Sequence, residues 1–570
     1  MTAKTGRFAM IEQFRASGVT HMFGNPGTVE QGFLDALEDY PDVEYILALQ
    51  EAVVVGIADG YARATRKPTI VQLHSGVGLG NGIGMMYQAK RGHAPLVVIA
   101  GESGVRYDAM EAQMWADLVD MAAPVVKWST RVVDPGSLLR VLRRAMKEAA
   151  TPPMGPVFVS LPMDVLDAPN DEEIVPWSML ETRSVPPRTE IDRAAKHLVG
   201  ASHPMVIAGD GVASSDAQPE LTRLAEVWGA EVWGADWSEV NMDQTHPQFR
   251  GMLGHMFGDH SKAIVSPADA VVICGTYVFP EVFPELSGMF SPGVPVVHID
   301  LDAHEIAKNF PVTMGFVADP KPTLDALADA LAGMMGDQQK RAAEARAEAL
   351  GQAKAEELET QKASDRSFHD ALPLHASMFA EELARQLPDD FIMFDEALTT
   401  SPELTRYLTP TKPGSYFLTR GGSLGVGIPG AIGIKIANPD KAVWGFTGDG
   451  GSMYTIQALW TAARYGVAAK FVVCNNHSYE LLKLNIQEYW EEREIPEHLF
   501  PVGFSLTEPD IHFADLAKSL GVEAVRVETP DQIAPAITQA LNHEGPFLID
   551  LVIANQVKGT RTIAGAYKAP

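Results

Sequence analysis

Short apolar runs alternate along this chain with longer stretches in which apolar and small residues recur at helical spacing. In the first block, 1–180, segments 44–49, 69–73 and 96–100 read as strands, and 51–65 and 80–89 as helices. Apolar runs of this length, bounded by turn residues, suit strands buried on both faces. PPMGPVFVSLPMDVLDAP ends the block with a further strand and a proline-rich exit, and the polar, proline-broken NDEEIVPWSMLETRSVPPRTE reads as a linker. A second block, 190–335, repeats the pattern with strands at 205–208, 270–274 and 294–299. Residues 336–369, rich in Ala, Glu and Lys, predict a solvated connecting helix. The third block, 370–555, has strands near 390–394, 442–446, 470–474 and 546–553, and 556–570 form a C-terminal tail. Strands alternating with helices throughout predict an α/β protein of three doubly wound, parallel-sheet domains. LHSGVGLGNGIGMMYQA in the first block and FTGDGGSMYTIQALWTA in the third share one outline: strand, glycine-rich turn, helix of small residues. Two related halves of a ligand cleft would look like this.

Composition narrows the picture only a little. A chain of 570 residues, 46% of them apolar, can build cores for about three to four domains. No apolar run approaches the roughly 20 residues of a membrane span, and MTAKTGRFAMIEQF lacks a signal-peptide core; a cytoplasmic protein with no membrane partner is expected. Cys274 and Cys474 each end a strand-like apolar run and are expected as buried thiols. A net charge of −28, with no basic stripe, argues against a nucleic-acid partner.

The chemistry concentrates in GDGGSMYTIQALWTAARYGVAAKFVVCNN, residues 448–476. Gly448-Asp449-Gly450 follows one apolar run and Asn475-Asn476 follows another, so a βαβ unit brings both turns to the same edge of a parallel sheet. Asp449 and Asn476, 27 positions apart, can then meet. A carboxylate, an amide oxygen and a nearby main-chain carbonyl make a partial shell of hard oxygens, which suits Mg²⁺ when a ligand diphosphate completes it. Gly448, Gly450 and Gly451 let the backbone approach that diphosphate, and the start of the following helix directs N–H groups at it. GDG alone is an ordinary turn; GDG followed by NN at this separation is specific.

The segment resembles the cofactor motif of the thiamine-diphosphate (ThDP) enzymes, and the rest of the chain extends the likeness. FGNPGTVE, LQE and LHS occur in the order and near the spacings of the benzoylformate decarboxylase branch of ThDP-dependent decarboxylases. Read locally, Glu51 is a first-turn glutamate favoured by the helix dipole. By resemblance it activates the cofactor: its proton stabilises the imino tautomer of the aminopyrimidine, whose nitrogen then removes the thiazolium C2 proton. Apolar surroundings, which favour a protonated carboxyl, suit that task. The resemblance further implies that Asn25, Gly27 and Thr28 (a serine in the benzoylformate branch) lie over the reaction centre. It makes His74 a substrate-binding or proton-relaying group. Leu424 would prop the bent cofactor, the Gly422 carbonyl would accept from its aminopyrimidine amine, Leu398 and Thr399 would meet the diphosphate, and Tyr479 would lie beside it. The carbonyl of Ser478 would join Asp449 and Asn476 on Mg²⁺.

Departures from the branch concern the substrate. The branch carries a second catalytic histidine on its middle domain; GTYVFPEVFPELSG has none, and Glu281 is a possible substitute. Gln113, Met114 and Trp115 fall where relatives place apolar pocket residues. The segment from Tyr479 to Asp510 is long and polar and reads as a lid, with Leu482 near the reaction centre and Glu480 as an extra carboxylate; its EEREIPE run reads as a solvated helix end. VIAGDGVASS lacks a GxGxxG fingerprint and GTYVFPEVF lacks the arginine-bearing stretch of flavin-binding acetolactate synthases, which argues against FAD. The implied activity is that of a ThDP- and Mg²⁺-dependent carbon–carbon lyase, decarboxylating a benzoylformate-like 2-oxo acid to an aldehyde through an enamine intermediate. The alternatives are a 2-hydroxyacyl-CoA lyase yielding formyl-CoA and a carbonyl compound, with Lys558, Arg561 and Lys568 of the tail closing over the CoA, or an acyloin-forming carboligase. A non-catalytic ThDP-binding paralogue is disfavoured because Glu51 and Asp449 are both present. Active sites shared between subunits, as in the family, imply at least a homodimer and by analogy a homotetramer.

Overall fold

Each of the three blocks folds around a parallel sheet, in a computed structural model that describes residues 4–235, 237–254 and 256–555. Lys558, Arg561 and Lys568 lie outside the described residues. The first block contributes β1 (His21–Gly24), β2 (Glu44–Leu47), α1 (Glu51–Thr65), β3 (Thr69–Leu73), α2 (Ser75–Arg91), β4 (Leu96–Glu102), β5 (Trp128–Arg131) and β6 (Val157–Pro162). Its strands lie in the order β2-β1-β3-β4-β6-β5, all parallel. The order reverses between β1 and β3, and the loops leaving these two strands carry Asn25 and His74. In open parallel sheets such a switch point opens a crevice for ligands.

The middle block holds β7 (Pro204–Ala208), β8 (Glu231–Gly234), β9 (Phe249–Met252), β10 (Ala270–Cys274), β11 (Val296–Asp300) and β12 (Met314–Val317), in the order β9-β8-β7-β10-β11-β12. Its glycine turn, Gly209-Asp210-Gly211, is closed from within the domain: a methyl group on Gly211 would stand 2.4 Å from Gly275 Cα. Asp210 accepts from the main-chain N–H groups of Ser238 and Glu239 and from Asn241 Nδ2. The acidic, alanine-rich stretch forms α3 (Asp337–Arg366), polar over most of its surface but anchored to the middle domain. Ala343 is buried, Arg346 donates to the carbonyls of Trp228 and Gly229, and Lys354 donates to those of Gln244, His246 and Phe249. Burial pushes the Lys354 pKa down to about 8.

The third block adds β13 (Ile392–Glu396), α4 (Gly427–Ala437), β14 (Val443–Gly448), α5 (Asp449–Ser452), α6 (Ala458–Arg464), β15 (Lys470–Asn475), α7 (Glu480–Glu492), β16 (Glu523–Val527) and β17 (Phe547–Val552). Five strands run parallel in the order β13-β14-β15-β17-β16. The single helix expected after GDG is two short pieces, α5 and α6. Gly450, Gly451 and Ser452 are poor helix formers, and Thr455 donates its hydroxyl to the Gly425 carbonyl. Cys274 and Cys474 are buried free thiols.

The chain forms two compact units. Of the described residues, one contains 4–180, Ala371–Ser401 and 419–555; the other contains those of Glu181–Asp370 and Pro402–Leu418. Inside the first unit, α1 lies against α4 with almost no side chain between them. A methyl group on Gly60 would meet the Gly430 carbonyl oxygen at 2.1 Å, and one on Gly433 the Ile57 oxygen at 1.9 Å. Tyr465 strengthens the seam, donating to the Tyr45 carbonyl and accepting from the Leu47 N–H. Among the described residues no helix is long and apolar enough to cross a membrane.

Candidate active site

Glu51 is the first residue of α1, directly after the short loop that leaves β2. Gln50 caps the helix by accepting from the N–H groups of Ala52 and Val53, which aims the next side chain inward; Glu51 is 6% exposed. Each of its carboxyl oxygens receives one side-chain amide. Asn25 Nδ2 donates to Oε1 at 3.1 Å and Asn81 Nδ2 donates to Oε2 at 3.0 Å. Asn25 is itself held by Gln72, whose Nε2 donates to its carbonyl at 3.1 Å, and Gln72 accepts from the Tyr45 hydroxyl. Both donors to Glu51 are neutral side-chain amides.

His74 begins α2. Its Nδ1 lies 2.8 Å from Glu30 Oε2, and the other Glu30 oxygen accepts from the Gly101 N–H at 2.8 Å. Burial pushes the Glu30 pKa up, and His74 opposes that shift. With Glu30 ionised, Nδ1 carries the proton and Nε2 is left to act as the acceptor. The GNPG loop lies on this imidazole: a methyl group on Gly27 would stand 1.8 Å from His74 Nδ1. Thr28, in the same loop, is exposed. Gln113 and Trp115 are exposed and Met114 is half-buried with φ +78°. The loop before them is tied down by Asp108, which binds Arg131 through both oxygens at 2.7 Å.

The third block places Leu398, Asp449 and Asn476 just beyond the ends of three adjacent strands, β13, β14 and β15. Asp449 is buried. Its Oδ1 accepts from the Gly450 N–H at 2.7 Å and its Oδ2 from the Ser478 N–H at 3.2 Å. Asn476 Oδ1 accepts from that same Ser478 N–H at 3.0 Å, so the carboxylate and the amide oxygen converge on one donor. Burial pushes the Asp449 pKa up to about 7, with main-chain N–H groups opposing the shift; a bound cation would add a far larger opposing charge. The two asparagines divide the work. Asn475 turns inward, donating to Asp550 Oδ1 at 3.0 Å, and Asp550 is paired with Arg526 at 2.9 Å. That anchor, with His477 in a left-handed conformation at φ +57°, presents Asn476 and Ser478 on the other side of the turn. Two side-chain oxygens and the Ser478 carbonyl could hold a hard cation. Nothing lies within 4 Å of a methyl group placed on Gly448, whereas one on Gly450 would meet the Tyr479 ring at 2.3 Å.

The loop with Gly422 (φ +68°) and half-buried Leu424 hangs from Glu396. This buried carboxyl accepts from the N–H groups of Gly425 and Gly427 and from the Thr447 hydroxyl. Burial pushes its pKa up to about 7. Thr399 donates to Glu480. Leu482 is 43% exposed. The lid segment is less polar in effect than its composition implies: the rings of Trp490 and Phe500 stack at 5.4 Å, Ile486 and Phe504 pack on them, and the Phe504 carbonyl accepts from Ser478 Oγ and Tyr479 N–H. In the middle domain, Glu281 is buried and accepts from the Ser261 hydroxyl.

Sequence reasoning missed Glu30, Asn81 and Glu396. Glu30 and Asn81 stand within or beside the quoted motifs, Asn81 one turn beyond Gly78 on the face of α2 that meets Glu51. Glu396 is the second residue of DEALTTS and gives no local sign that its partners come from loops 29 and 31 positions away.

Comparison with known proteins gives the same picture along the whole chain. The N-terminal TPP binding domain of thiamine pyrophosphate enzymes matches residues 4–121, their central domain residues 191–327, and their C-terminal TPP binding domain residues 399–551. Benzoylformate decarboxylase of Pseudomonas aeruginosa is 31% identical over 556 residues, covering 96% of this chain and 98% of the relative. A probable acetolactate synthase large subunit of Methanococcus aeolicus is 28% identical over 563 residues, covering 96% and 92%. Among solved structures, the ThDP-dependent 4-hydroxybenzoylformate decarboxylase of Rhodococcus jostii RHA1 superposes with a TM-score of 0.83 at 28% identity, covering 97% of this chain and 99% of its own. With all three domains matched in order and a relative this similar along its full length, the chain belongs to the thiamine pyrophosphate enzyme family.

Proposed function

We propose that the protein is a ThDP- and Mg²⁺-dependent lyase that decarboxylates a benzoylformate-like 2-oxo acid to an aldehyde. The observation that carries this reading is the convergence of Asp449 Oδ2 and Asn476 Oδ1 on the Ser478 N–H, at the ends of neighbouring strands. Likeness to a benzoylformate decarboxylase and to a 4-hydroxybenzoylformate decarboxylase supports the substrate class. Asp449, Asn476 and the Ser478 carbonyl would hold Mg²⁺. Gly448, Gly450 and Gly451, with Leu398 and Thr399, would receive the diphosphate beside Tyr479, while the Gly422 carbonyl and Leu424 seat the rest of the cofactor. When bound, ThDP supplies an electron sink for the bond that breaks beside a substrate carbonyl. Glu51 holds a proton for the aminopyrimidine, with Asn25 and Asn81 fixing both of its oxygens. His74, oriented by Glu30, moves a proton at Nε2. Thr28, Gln113, Met114 and Leu482 bound the substrate, and closure of the site excludes water.

The proposal includes a cytoplasmic homodimer at minimum, assembling further into a homotetramer. Large apolar side chains stand exposed beside both halves of the site: Leu49 (47%) and Val77 (67%) near Glu51, and Tyr454 (57%) just beyond the GDGG turn. A second copy is the occupant proposed to cover them. Acyloin-forming carboligation is the second reading, favoured by the acetolactate synthase relatives. Incubating the Mg²⁺- and ThDP-loaded protein with benzoylformate, branched 2-oxo acids, paired aldehydes and 2-hydroxyacyl-CoAs, while measuring CO₂, acyloin and formyl-CoA, separates the readings. CO₂ and benzaldehyde from benzoylformate are expected; formyl-CoA or acyloin alone would overturn the decarboxylase.

A further inference from the structure

Glu480 opens α7, four positions after Asn476, and is only 4% exposed. Its Oε2 accepts from Asn476 Nδ2 at 2.8 Å and from Thr399 Oγ1 at 3.3 Å. An amide nitrogen donates and an amide oxygen only accepts. The contact therefore settles which end of the Asn476 amide lies where: Nδ2 faces Glu480, and Oδ1 faces Ser478 N–H and Asp449. Rotated by half a turn, the amide would set its oxygen against the carboxylate and its NH₂ where a cation would sit. Glu480 has a charge partner close by. Lys483, one turn further along α7, is buried, with its ammonium 5.8 Å from the centre of the Phe500 ring; burial lowers its pKa, and Glu480 opposes that shift.

We propose that Glu480 is a positioning residue for the metal: it locks the Asn476 amide with its oxygen toward the cation and ties the metal turn and Thr399 to the start of the lid. The inference rests on the Mg²⁺ site proposed above. It gives the extra carboxylate a task that needs no contact with substrate. Partners that orient a metal ligand typically contribute about 10- to 100-fold in metal affinity.

The test is a calorimetric Mg²⁺ titration of the ThDP-saturated wild type, E480A, E480Q, N476A and both double variants with N476A. E480A is expected to weaken Mg²⁺ binding by about 10- to 100-fold. E480Q, whose amide oxygen can still accept from Asn476 Nδ2, should recover most of that loss. In the N476A background neither change at Glu480 should weaken binding further, because its effect passes through Asn476; a merely structural role would add to the loss. Wild-type protein with no Mg²⁺ affinity would overturn the metal site itself. Wild-type binding that E480A leaves within twofold, or losses that add fully in the N476A background, would overturn the positioning role and leave the metal site standing. Should E480A fail to fold, E480L, which removes the acceptor and keeps the bulk, takes its place in the cycle under the same additivity criterion.

Discussion

Glu51 and Asp449 belong to two related sheets, one following the edge strand β2 and the other the inner strand β14. Each is a buried carboxyl at the first position of a helix that follows a parallel strand, β2 for one and β14 for the other. Their surroundings differ in kind. Glu51 is met by two side-chain amides from separate elements, Asn25 beyond β1 and Asn81 on α2. Asp449 is met by main-chain N–H groups of the two turns it joins. Side-chain amides can rotate with a bound partner, whereas main-chain N–H groups are held by the turns that carry them. The two strand-to-helix junctions thus offer their carboxyls different partners, rotatable amides in one half and fixed main-chain groups in the other.

The sharpest way to break that comparison is to remove the carboxylate function from each half. Glu51→Gln should lower kcat by about 10²- to 10⁴-fold, the usual contribution of a positioned acid–base group, while ThDP and Mg²⁺ affinities stay within a few-fold of wild type by calorimetry. Asp449→Ala should do the reverse at the level of loading, with the apoprotein folded and cofactor retention lost. Unchanged turnover in E51Q would remove the proton-site assignment altogether.

A second contrast lies within the third block, between Asp449 and Glu396, whose pKa values are both pushed to about 7. Only Glu396 is placed away from the proposed cation, so its charge should show in stability. Its folded pKa of about 7 lies above the ordinary 4.5. Its contribution is therefore fully present below about pH 4.5 and lost as pH rises through 7, because folding then has to bury a charge. Relative to E396Q, the wild type should lose roughly 3 kcal/mol of unfolding free energy between those limits, measured by urea unfolding of the two apoproteins. A difference independent of pH would show that Glu396 stays in one protonation state.

These carboxyls also mark how far the sequence could be read. The parallel α/β blocks were legible because their strands are apolar on both faces: 69–73 and 270–274 agree with Thr69–Leu73 and Ala270–Cys274 at both ends. The helix over 51–65 likewise agrees with its ends, Gln50 capping one and Arg66 closing the other in a left-handed conformation. Asp449 and Asn476 could be paired because the strand ends force them together. Glu30, Asn81 and Glu396 could not be paired with their partners, since each contact joins elements whose approach depends on side-chain packing rather than on sheet connectivity. The broken helix after GDG was also hidden, for the tertiary bond of Thr455 to Gly425 leaves no local trace.

Metal removal gives a smaller, graded contrast. Holding Mg²⁺ at about 100 times its Kd, with ThDP saturating, should raise the unfolding free energy by about 2.7 kcal/mol. EDTA should return the melting temperature to that of the protein without Mg²⁺. D449A should show no such shift, while E51Q should show the full one, which would confirm that ion binding and proton handling reside in different halves.

The smallest expected effect probes the symmetry of the Glu51 shell. Asn25 and Asn81 donate at nearly equal distances, 3.1 and 3.0 Å, to different oxygens. If each only fixes the carboxyl plane, N81A should cost about 1 kcal/mol, the net value of one hydrogen bond, or roughly a five-fold fall in kcat/KM. N25A should cost about as much, since it removes the equivalent amide from the other oxygen and leaves the main-chain carbonyl at position 25 to accept from Gln72 as before. The double variant should lose more than the sum, because freeing both oxygens lets the carboxyl rotate about its own axis. Strict additivity would mean that the two amides act on separate features of the site, and Glu51 would then be held by its helix and the apolar walls alone.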